Sequence, residues 1–173
     1  MLLDVSRMTG VRDRIEREYE RSAWAPAGDY AVTSRVRLAV DVHKDRDRFR
    51  LAGRVEATLE VVCGRCLEPF ALPVDATFDL RYLPHAENTG EGEREVEEDD
   101  LDTAFYRDQV IDLGELMREQ FLLALPMKPL CREGCKGLCP VCGTNLNDAR
   151  CQCGPQWADP RLAGLRALLD RKD

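Results

Sequence analysis

The chain has 173 residues and is 44% hydrophobic, which is sufficient for the core of one medium-sized domain. No segment approaches the roughly 20 consecutive apolar residues of a membrane-spanning helix. Residues 1–7 also lack the basic start and apolar run of a secretory signal. We therefore predict a cytoplasmic protein that has no membrane partner.

The negative charge of the chain is concentrated in one tract. Between positions 87 and 100, eight acidic residues accompany a single basic one, Arg94, so this tract carries the entire net charge of −7. Because it has almost no apolar residues, we predict that residues 84–100 form an acidic disordered loop. The loop separates residues 1–83, an N-terminal segment and a sheet, from residues 101–173, which pack on the sheet as part of one domain.

In chain order, the first predicted element is a helix over residues 11–21, which are dense in both charges. Three runs of alternating apolar and polar residues follow at 30–42, 49–61 and 70–82, and this period is typical of half-buried strands. Their short connections predict an antiparallel β meander or a small barrel-like sheet. Pro73 cannot donate a hydrogen bond to a neighbouring strand, so it favours an edge position for the third run.

A helix is predicted next, beginning at Asp112 as its N-cap with Glu115 as a capping-box partner. Pro126 and Pro129 end this helix and lead the chain to a cysteine-rich segment. A short C-terminal helix is predicted from Asp159 onward. The predicted class is therefore α+β, with a sheet packed by a helix and a C-terminal cysteine-rich segment.

The eight cysteines favour zinc binding. Two-residue spacing lets both sulfurs of one turn reach one metal ion, and eight thiolates divide into two tetrahedral sites of four. The candidate ligands are Cys63, Cys66, Cys131, Cys135, Cys139, Cys142, Cys151 and Cys153. A disulfide framework and reactive thiols are the alternatives, although a reducing cytosol favours free thiols that can bind metal.

Two divisions of the cysteines into zinc sites are possible. In the favoured division, Cys139, Cys142, Cys151 and Cys153 close a local site, and the other four cysteines join the sheet to the segment after the helix. The alternative joins Cys131 and Cys135 to Cys139 and Cys142, and leaves Cys63 and Cys66 to Cys151 and Cys153. Both divisions give closed structural sites, so we predict that the protein is not an enzyme and has no small-molecule substrate.

Two blocks of sequence resemble the YceD family of bacterial and plastid proteins. The first is Cys-Gly-Arg-Cys-Leu-Glu-Pro-Phe at 63–70. The second runs from Ile-Asp-Leu at 111–113, through Leu-Ala-Leu-Pro-Met-Lys-Pro-Leu-Cys at 123–131, to Cys-Pro-Val-Cys-Gly-Thr-Asn-Leu-Asn at 139–147. The resemblance implies a non-enzymatic cytoplasmic factor that is needed for large-subunit ribosomal RNA to accumulate. It implies no molecular mechanism.

Two modes of action are open. In one, the protein contacts ribosomal RNA or a large-subunit precursor particle through a basic set that carries a net charge of +4 over residues 35–54. The basic set consists of Arg35, Arg37, Lys44, Arg46, Arg48, Arg50 and Arg54. In the other, the protein is a zinc-stapled adaptor or chaperone for a ribosomal protein, with the basic face against an acidic partner or the acidic tract against a basic one. A third interpretation of these arginines is an ordinary solvated sheet face, partly paired with Asp and Glu.

Overall fold

Eight strands and one α-helix form the regular structure in the computed structural model, which describes residues 1–8, 10–26, 28–85 and 102–154. In chain order they are β1 (Leu2–Asp4), β2 (Arg12–Tyr19), β3 (Ala31–Val32), β4 (Val36–Asp45), β5 (Arg48–Val62), β6 (Pro69–Pro84), β7 (Thr103–Tyr106), β8 (Val110–Asp112) and α1 (Leu113–Ala124). Two 3-10 turns, Val5–Arg7 and Arg21–Ala23, flank β2 in the sequence. The predicted α+β class is confirmed.

The predicted antiparallel meander is present as β4, β5 and β6. The full sheet has the order β2-β4-β5-β6-β7; β7 lies parallel to β6, and β3 pairs with β5 beyond the end of β4. Strands β2 and β7 lie at opposite ends of this order, so the sheet is open over the described residues. The barrel-like alternative is therefore not confirmed.

The core lies between one face of the sheet and helix α1. Alternate residues of β4 and β5 point inward and are almost fully buried, as the period of two predicts. Helix α1 packs against β6 and contributes its apolar stripe to the same core. The buried residues of the stripe are Leu113, Leu116, Met117 and Phe121.

The helix predicted over residues 11–21 is wrong, because this segment forms strand β2 at the edge of the sheet. Its apolar residues Val11, Ile15 and Tyr19 are spaced by four, which fits one helical turn and also a period of two. Ile15 and Tyr19 pack against the core as strand residues. The local pattern is compatible with both a helix and a strand, and pairing with β4 decided that this segment is a strand.

Pro73 lies where an edge strand tolerates it. Its partner across the pair is Thr58 of β5. The backbone of Thr58 makes its hydrogen bonds on the side away from Pro73: its N–H donates to Ser34 Oγ, and its carbonyl accepts from Thr33 N–H. The ring nitrogen of Pro73 therefore faces away from β5, and the parallel partner of β6 begins only at Arg81. Among the residues that the structure describes, this part of β6 therefore lies at the edge of the sheet, as predicted.

Helix α1 begins as predicted. The Asp112 carboxylate accepts hydrogen bonds from the backbone N–H of Gly114 (2.7 Å) and Glu115 (3.2 Å), and the helix ends at Ala124 before Pro126. None of the described helices is long and apolar enough to cross a membrane. The predicted C-terminal helix and nearly all of the predicted acidic loop lie outside the described residues.

Candidate metal centre

The eight cysteine sulfurs lie in two groups of four, and within each group all sulfurs are within 4.8 Å of one another. The first group joins the β5–β6 connection to the segment after α1 and consists of Cys63, Cys66, Cys131 and Cys135. The second group is local in sequence and consists of Cys139, Cys142, Cys151 and Cys153. These are the groups of the favoured division.

The spacing of the sulfurs fits a tetrahedral metal ion. The Sγ–Sγ distances are 3.8 Å from Cys63 to Cys135 and 3.8 Å from Cys66 to Cys131. A tetrahedron with metal–sulfur bonds of about 2.3 Å has edges of about 3.8 Å. A disulfide would need a separation of about 2.05 Å, and all eight cysteines are free. Both groups could therefore hold a metal ion.

The two Cys-x-x-Cys turns have the same local structure, and we call them the first and second knuckles (residues 63–68 and 139–144). In the first, Leu67 N–H donates to the Cys63 carbonyl (3.0 Å) and Cys63 N–H to the Glu68 carbonyl (2.9 Å). In the second, the corresponding bonds are 2.9 Å, from Gly143 to Cys139, and 2.8 Å, from Cys139 to Thr144. The same pair of backbone hydrogen bonds therefore closes both turns.

The two groups differ in burial. Cys63, Cys66 and Cys135 form a small buried cluster against the half-buried Phe70 and Leu130. In the second group only Cys139 is buried, while Cys142 and Cys153 are exposed. Three of the four cysteines of the first group are therefore buried and Cys131 is exposed, whereas the second group lies mostly at the surface.

The first knuckle also holds the segment that carries Cys135. The Arg65 guanidinium donates to the Cys135 carbonyl (3.0 Å), and the Arg65 carbonyl accepts from Leu138 N–H (3.2 Å). Gly137 adopts φ +72° beside it, and a Cβ there would lie 3.0 Å from the Arg65 carbonyl oxygen. Only glycine suits this position, because it needs both the left-handed backbone and the close approach.

Sequence reasoning did not identify Asn147 as a residue of the site. Its side-chain amide donates to Cys135 Sγ (3.3 Å) and to Asn145 Oδ1 (2.9 Å), and its carbonyl oxygen accepts from Lys136 N–H (2.9 Å). Asn147 lies between Cys142 and Cys151 in sequence, within the loop of the second group, yet it contacts a sulfur of the first. The sequence offered one clue, an amide residue inside a cysteine cluster, which often supports a ligand from the second coordination shell.

The surroundings of the thiols favour ionisation at some positions and oppose it at others. Backbone N–H groups, chiefly that of Cys66, lower the pKa of Cys63 to about 6. The Thr144 hydroxyl, 3.1 Å from Cys142 Sγ, is the main cause that lowers the pKa of Cys142 to about 6. Burial is the main cause that raises the pKa of Cys131 to about 12, and neighbouring sulfurs add to it. The first group thus holds Cys63, which ionises readily, together with Cys131, whose ionisation a bound cation would favour.

The predicted basic set lies away from the metal centre, along the sheet. Its four outward arginines are each paired with a carboxylate: Arg35 with Glu20 (3.0 Å), Arg37 with Glu18 (3.2 Å), Arg50 with Asp79 (2.7 Å) and Arg54 with Asp75. The hydrogen bond from Arg50 lowers the pKa of Asp79. This pairing supports a solvated, internally neutralised face, and RNA contact by these arginines stays a prediction.

The remaining three basic residues of the set lie around the β4–β5 turn. Lys44 Nζ donates to the Met8 carbonyl (3.1 Å) and lies 5.9 Å from the centre of the Phe49 ring. Arg46 lies in the turn with φ +56°, and Arg48 begins β5. The knuckle at 63–68 follows the other end of β5, so these residues and the metal centre lie at opposite ends of that strand.

Comparison with known proteins places these features in a family. The chain is 28% identical over 169 residues to a chloroplast protein of Arabidopsis thaliana named large ribosomal RNA subunit accumulation protein YCED homolog 1, covering 84% of this chain and 53% of the relative. The corresponding maize protein is 28% identical over 144 residues, covering 70% of this chain and 49% of the relative. An uncharacterized Bacillus subtilis protein, YlbN, is 26% identical over 141 residues, covering 80% and 76%.

The chain spans about half the length of the two chloroplast relatives. No solved structure matches it. Residues 51–169, which include all eight cysteines, match the family described as large ribosomal RNA subunit accumulation protein YceD. The chain therefore belongs to the YceD family.

Proposed function

We propose that this chain is a non-enzymatic factor, stapled by two zinc ions, that supports large-subunit ribosomal RNA accumulation as a protein adaptor in the cytoplasm. Its partner would be a ribosomal protein or a protein surface of a large-subunit precursor particle. The family and the names of the chloroplast relatives supply the link to large-subunit RNA. The proposal of a protein partner rests on apolar side chains that are exposed on the two knuckles and around the end of α1.

The donor sets favour a structural role for the metal. Each group offers four sulfurs within 4.8 Å of one another, whereas catalytic zinc has three protein ligands and keeps one position open. Bound zinc would supply folding energy, with apparent binding of about 10–16 kcal/mol in small cysteine-rich modules. The first group would thereby fasten the β5–β6 connection to the segment after α1.

Large apolar side chains are exposed on the two knuckles, in the last turn of α1 and on the segment between α1 and Cys131. Gly64 N–H donates to the Pro129 carbonyl (2.8 Å), which brings the chain after α1 against the first knuckle. The exposed fractions of the apolar residues on these segments are 62% for Leu67, 51% for Leu122, 78% for Leu123, 102% for Met127 and 62% for Val141. Exposed apolar side chains that lie together mark protein interaction sites, and we infer that these residues contribute to one such surface.

The charged face of the sheet also favours a protein partner over RNA. Phosphate binding needs cations that are available to neutralise the backbone of RNA, but the outward arginines already face carboxylates. Direct RNA contact remains the second candidate because Lys128, Arg132 and Lys136 are exposed beside cysteines of the first group. These cations could meet phosphates at the rim of a protein contact.

Co-sedimentation of tagged protein with ribosomal particles, followed by RNA crosslinking of the peak, tests the proposal. We expect Leu123→Asp with Met127→Asp to release the protein from large-subunit precursors. The matched control is Val11→Asp, since Val11 is 62% exposed and lies beside Lys44, near the opposite end of β5. Equal co-sedimentation of the Leu123/Met127 variant and the wild type would overturn the adaptor surface.

Arginine reversal separates the two candidates. Under the adaptor proposal, Arg50→Glu with Arg54→Glu leaves association unchanged as long as the chain stays folded. A second variant adds Asp79→Arg and Asp75→Arg, which restores both ion pairs with reversed polarity and controls for lost stability. RNA crosslinks that disappear in both variants would favour direct RNA contact instead.

A further inference from the structure

We propose that Asn147 couples the two metal sites, so that filling the second group of cysteines strengthens metal binding by the first. The inference rests on the proposed metal binding and goes beyond it. The two groups share no ligand. Coupling between them therefore requires a contact whose formation affects, and is affected by, metal binding at both sites. Asn147 provides that connection.

The side chain of Asn147 has one defined orientation. Its Nδ2 donates to Cys135 Sγ (3.3 Å) and to Asn145 Oδ1 (2.9 Å), while its Oδ1 accepts from Lys136 N–H (2.9 Å). Exchanging the oxygen and nitrogen would place a donor against the Lys136 N–H and an acceptor against the sulfur. The hydrogen-bond network therefore directs an N–H at Cys135.

The contact is of the kind that strengthens a metal ligand. A thiolate that accepts a hydrogen bond is held in position and in its charged form, and the bond is stronger than one between neutral groups. Partners in the second shell that orient a ligand typically contribute 10–100-fold to metal affinity. Asn147 is a positioning residue in this sense, since it would act on the metal only through Cys135.

The position of Asn147 in the chain makes the contact dependent on the second site. It lies in the loop that Cys142 and Cys151 would fasten at either end when a metal ion joins them. The loop already contacts the first-site segment through Leu146 N–H to the Gly137 carbonyl (2.9 Å) and the bridge between Leu138 and Asn145. Closing the loop lowers the entropy lost when Asn147 engages Cys135.

The test uses the full chain loaded with ¹¹³Cd²⁺, which replaces zinc at thiolate sites and gives one NMR resonance per site. A Cys151→Ser, Cys153→Ser variant removes the second-site resonance and so assigns both signals. Competition with a chelator, followed on each resonance, then gives the affinity of each site. We expect the first site to bind at least about tenfold more weakly when the second site is removed.

Asn147→Ala should weaken the first site by a similar factor and shift its resonance, because a hydrogen bond to one ligand is lost. In the Asn147→Ala background, removing the second site should then cause little further loss, which is the non-additivity expected of coupled groups. Asn147→Asp retains an acceptor for Lys136 but loses the donor to sulfur, so it should also abolish the coupling. Asp148→Ala, at the exposed neighbouring position, should leave both resonances unchanged.

Two results would overturn the inference. One is equal first-site affinity with the second site present or removed. The other is additivity of Asn147→Ala and the loss of the second site. Independent binding of two cadmium ions would refute only the coupling, whereas failure to bind any metal would refute the zinc staple of the proposed function.

Discussion

Leu67 and Gly143 occupy the same left-handed backbone position, one residue after the second cysteine of each knuckle, with φ of +60° and +72°. Each donates its N–H to the carbonyl of the first cysteine of its own knuckle, at 3.0 and 2.9 Å. Glycine adopts this conformation freely, whereas a residue with a side chain loses about 1–2 kcal/mol there. The first knuckle is therefore strained at a position where the second is not.

Leu67→Gly should raise the free energy of unfolding of the metal-loaded chain by about 1 kcal/mol, because relief of the left-handed strain exceeds the entropic cost of glycine. Denaturant unfolding measures the effect. The side chain is 62% exposed, so little packing is lost. Leu67→Ala removes the same side chain but keeps the strain, and equal stabilisation by both variants would contradict the explanation.

Metal content and stability should separate the two cysteine groups. We expect close to two zinc ions per purified chain by elemental analysis, and one or none would contradict two sites.

Cys66→Ser should destabilise the whole fold, because Cys66 is buried where the sheet meets the later segment. Cys153→Ser should loosen only the C-terminal segment, because Cys153 is exposed and its group is local. Thermal unfolding that is equally affected by both variants would argue against this division of roles.

Gly137→Ala should weaken metal binding by the first group. The new Cβ would lie 3.0 Å from the Arg65 carbonyl oxygen at φ +72°, so the contact between the first knuckle and the Cys135 segment must open. We expect a loss of at least about 1 kcal/mol, measurable as chelator sensitivity of the first site. Gly134→Ala is the matched control, since a Cβ there meets nothing within 4 Å; an equal loss in both variants would refute the steric cause.

Asp112 should give α1 a pH-dependent contribution to stability. Burial opposes ionisation of its carboxyl, but the N–H groups of Gly114 and Glu115 and the N-terminal ammonium group outweigh it and lower the pKa. A pKa lowered by folding stabilises the protein above the unfolded value of about 3.9, and this stabilisation is lost as the pH falls through the folded value.

Asp112→Ala should cost about 1 kcal/mol near neutral pH, the usual effect of losing an N-cap. Asp112→Asn keeps a capping side chain without a titrating charge, so its stability relative to the wild type should improve as the pH falls below 4. Urea unfolding across this range is the measurement. A constant difference between the wild type and Asp112→Asn at all pH values would contradict the charge-based explanation.

The strands of the meander could be predicted from sequence because local alternation and burial agree. Val36, Leu38 and Val40 alternate with outward residues and are almost fully buried, since a period of two places them on one face. Helix α1 was equally predictable, because its cap and its terminating prolines are local features. Strand β2 was not, because apolar residues four apart suit either a strand or a helix, and its pairing with β4 is not a local property.

The sequence by itself determined the identity of the eight cysteines and the resemblance to the YceD family, and it favoured one of two divisions of the cysteines without deciding between them. These properties depend on residue types and on short spacings along the chain, which can be read from the sequence. The tertiary structure decided which charges on the sheet are neutralised, because Arg50 and Asp79 are 29 residues apart and meet only across paired strands. It also decided the contact between Asn147 and Cys135, because a hydrogen bond depends on the distance and direction between two side chains rather than on their positions in the chain.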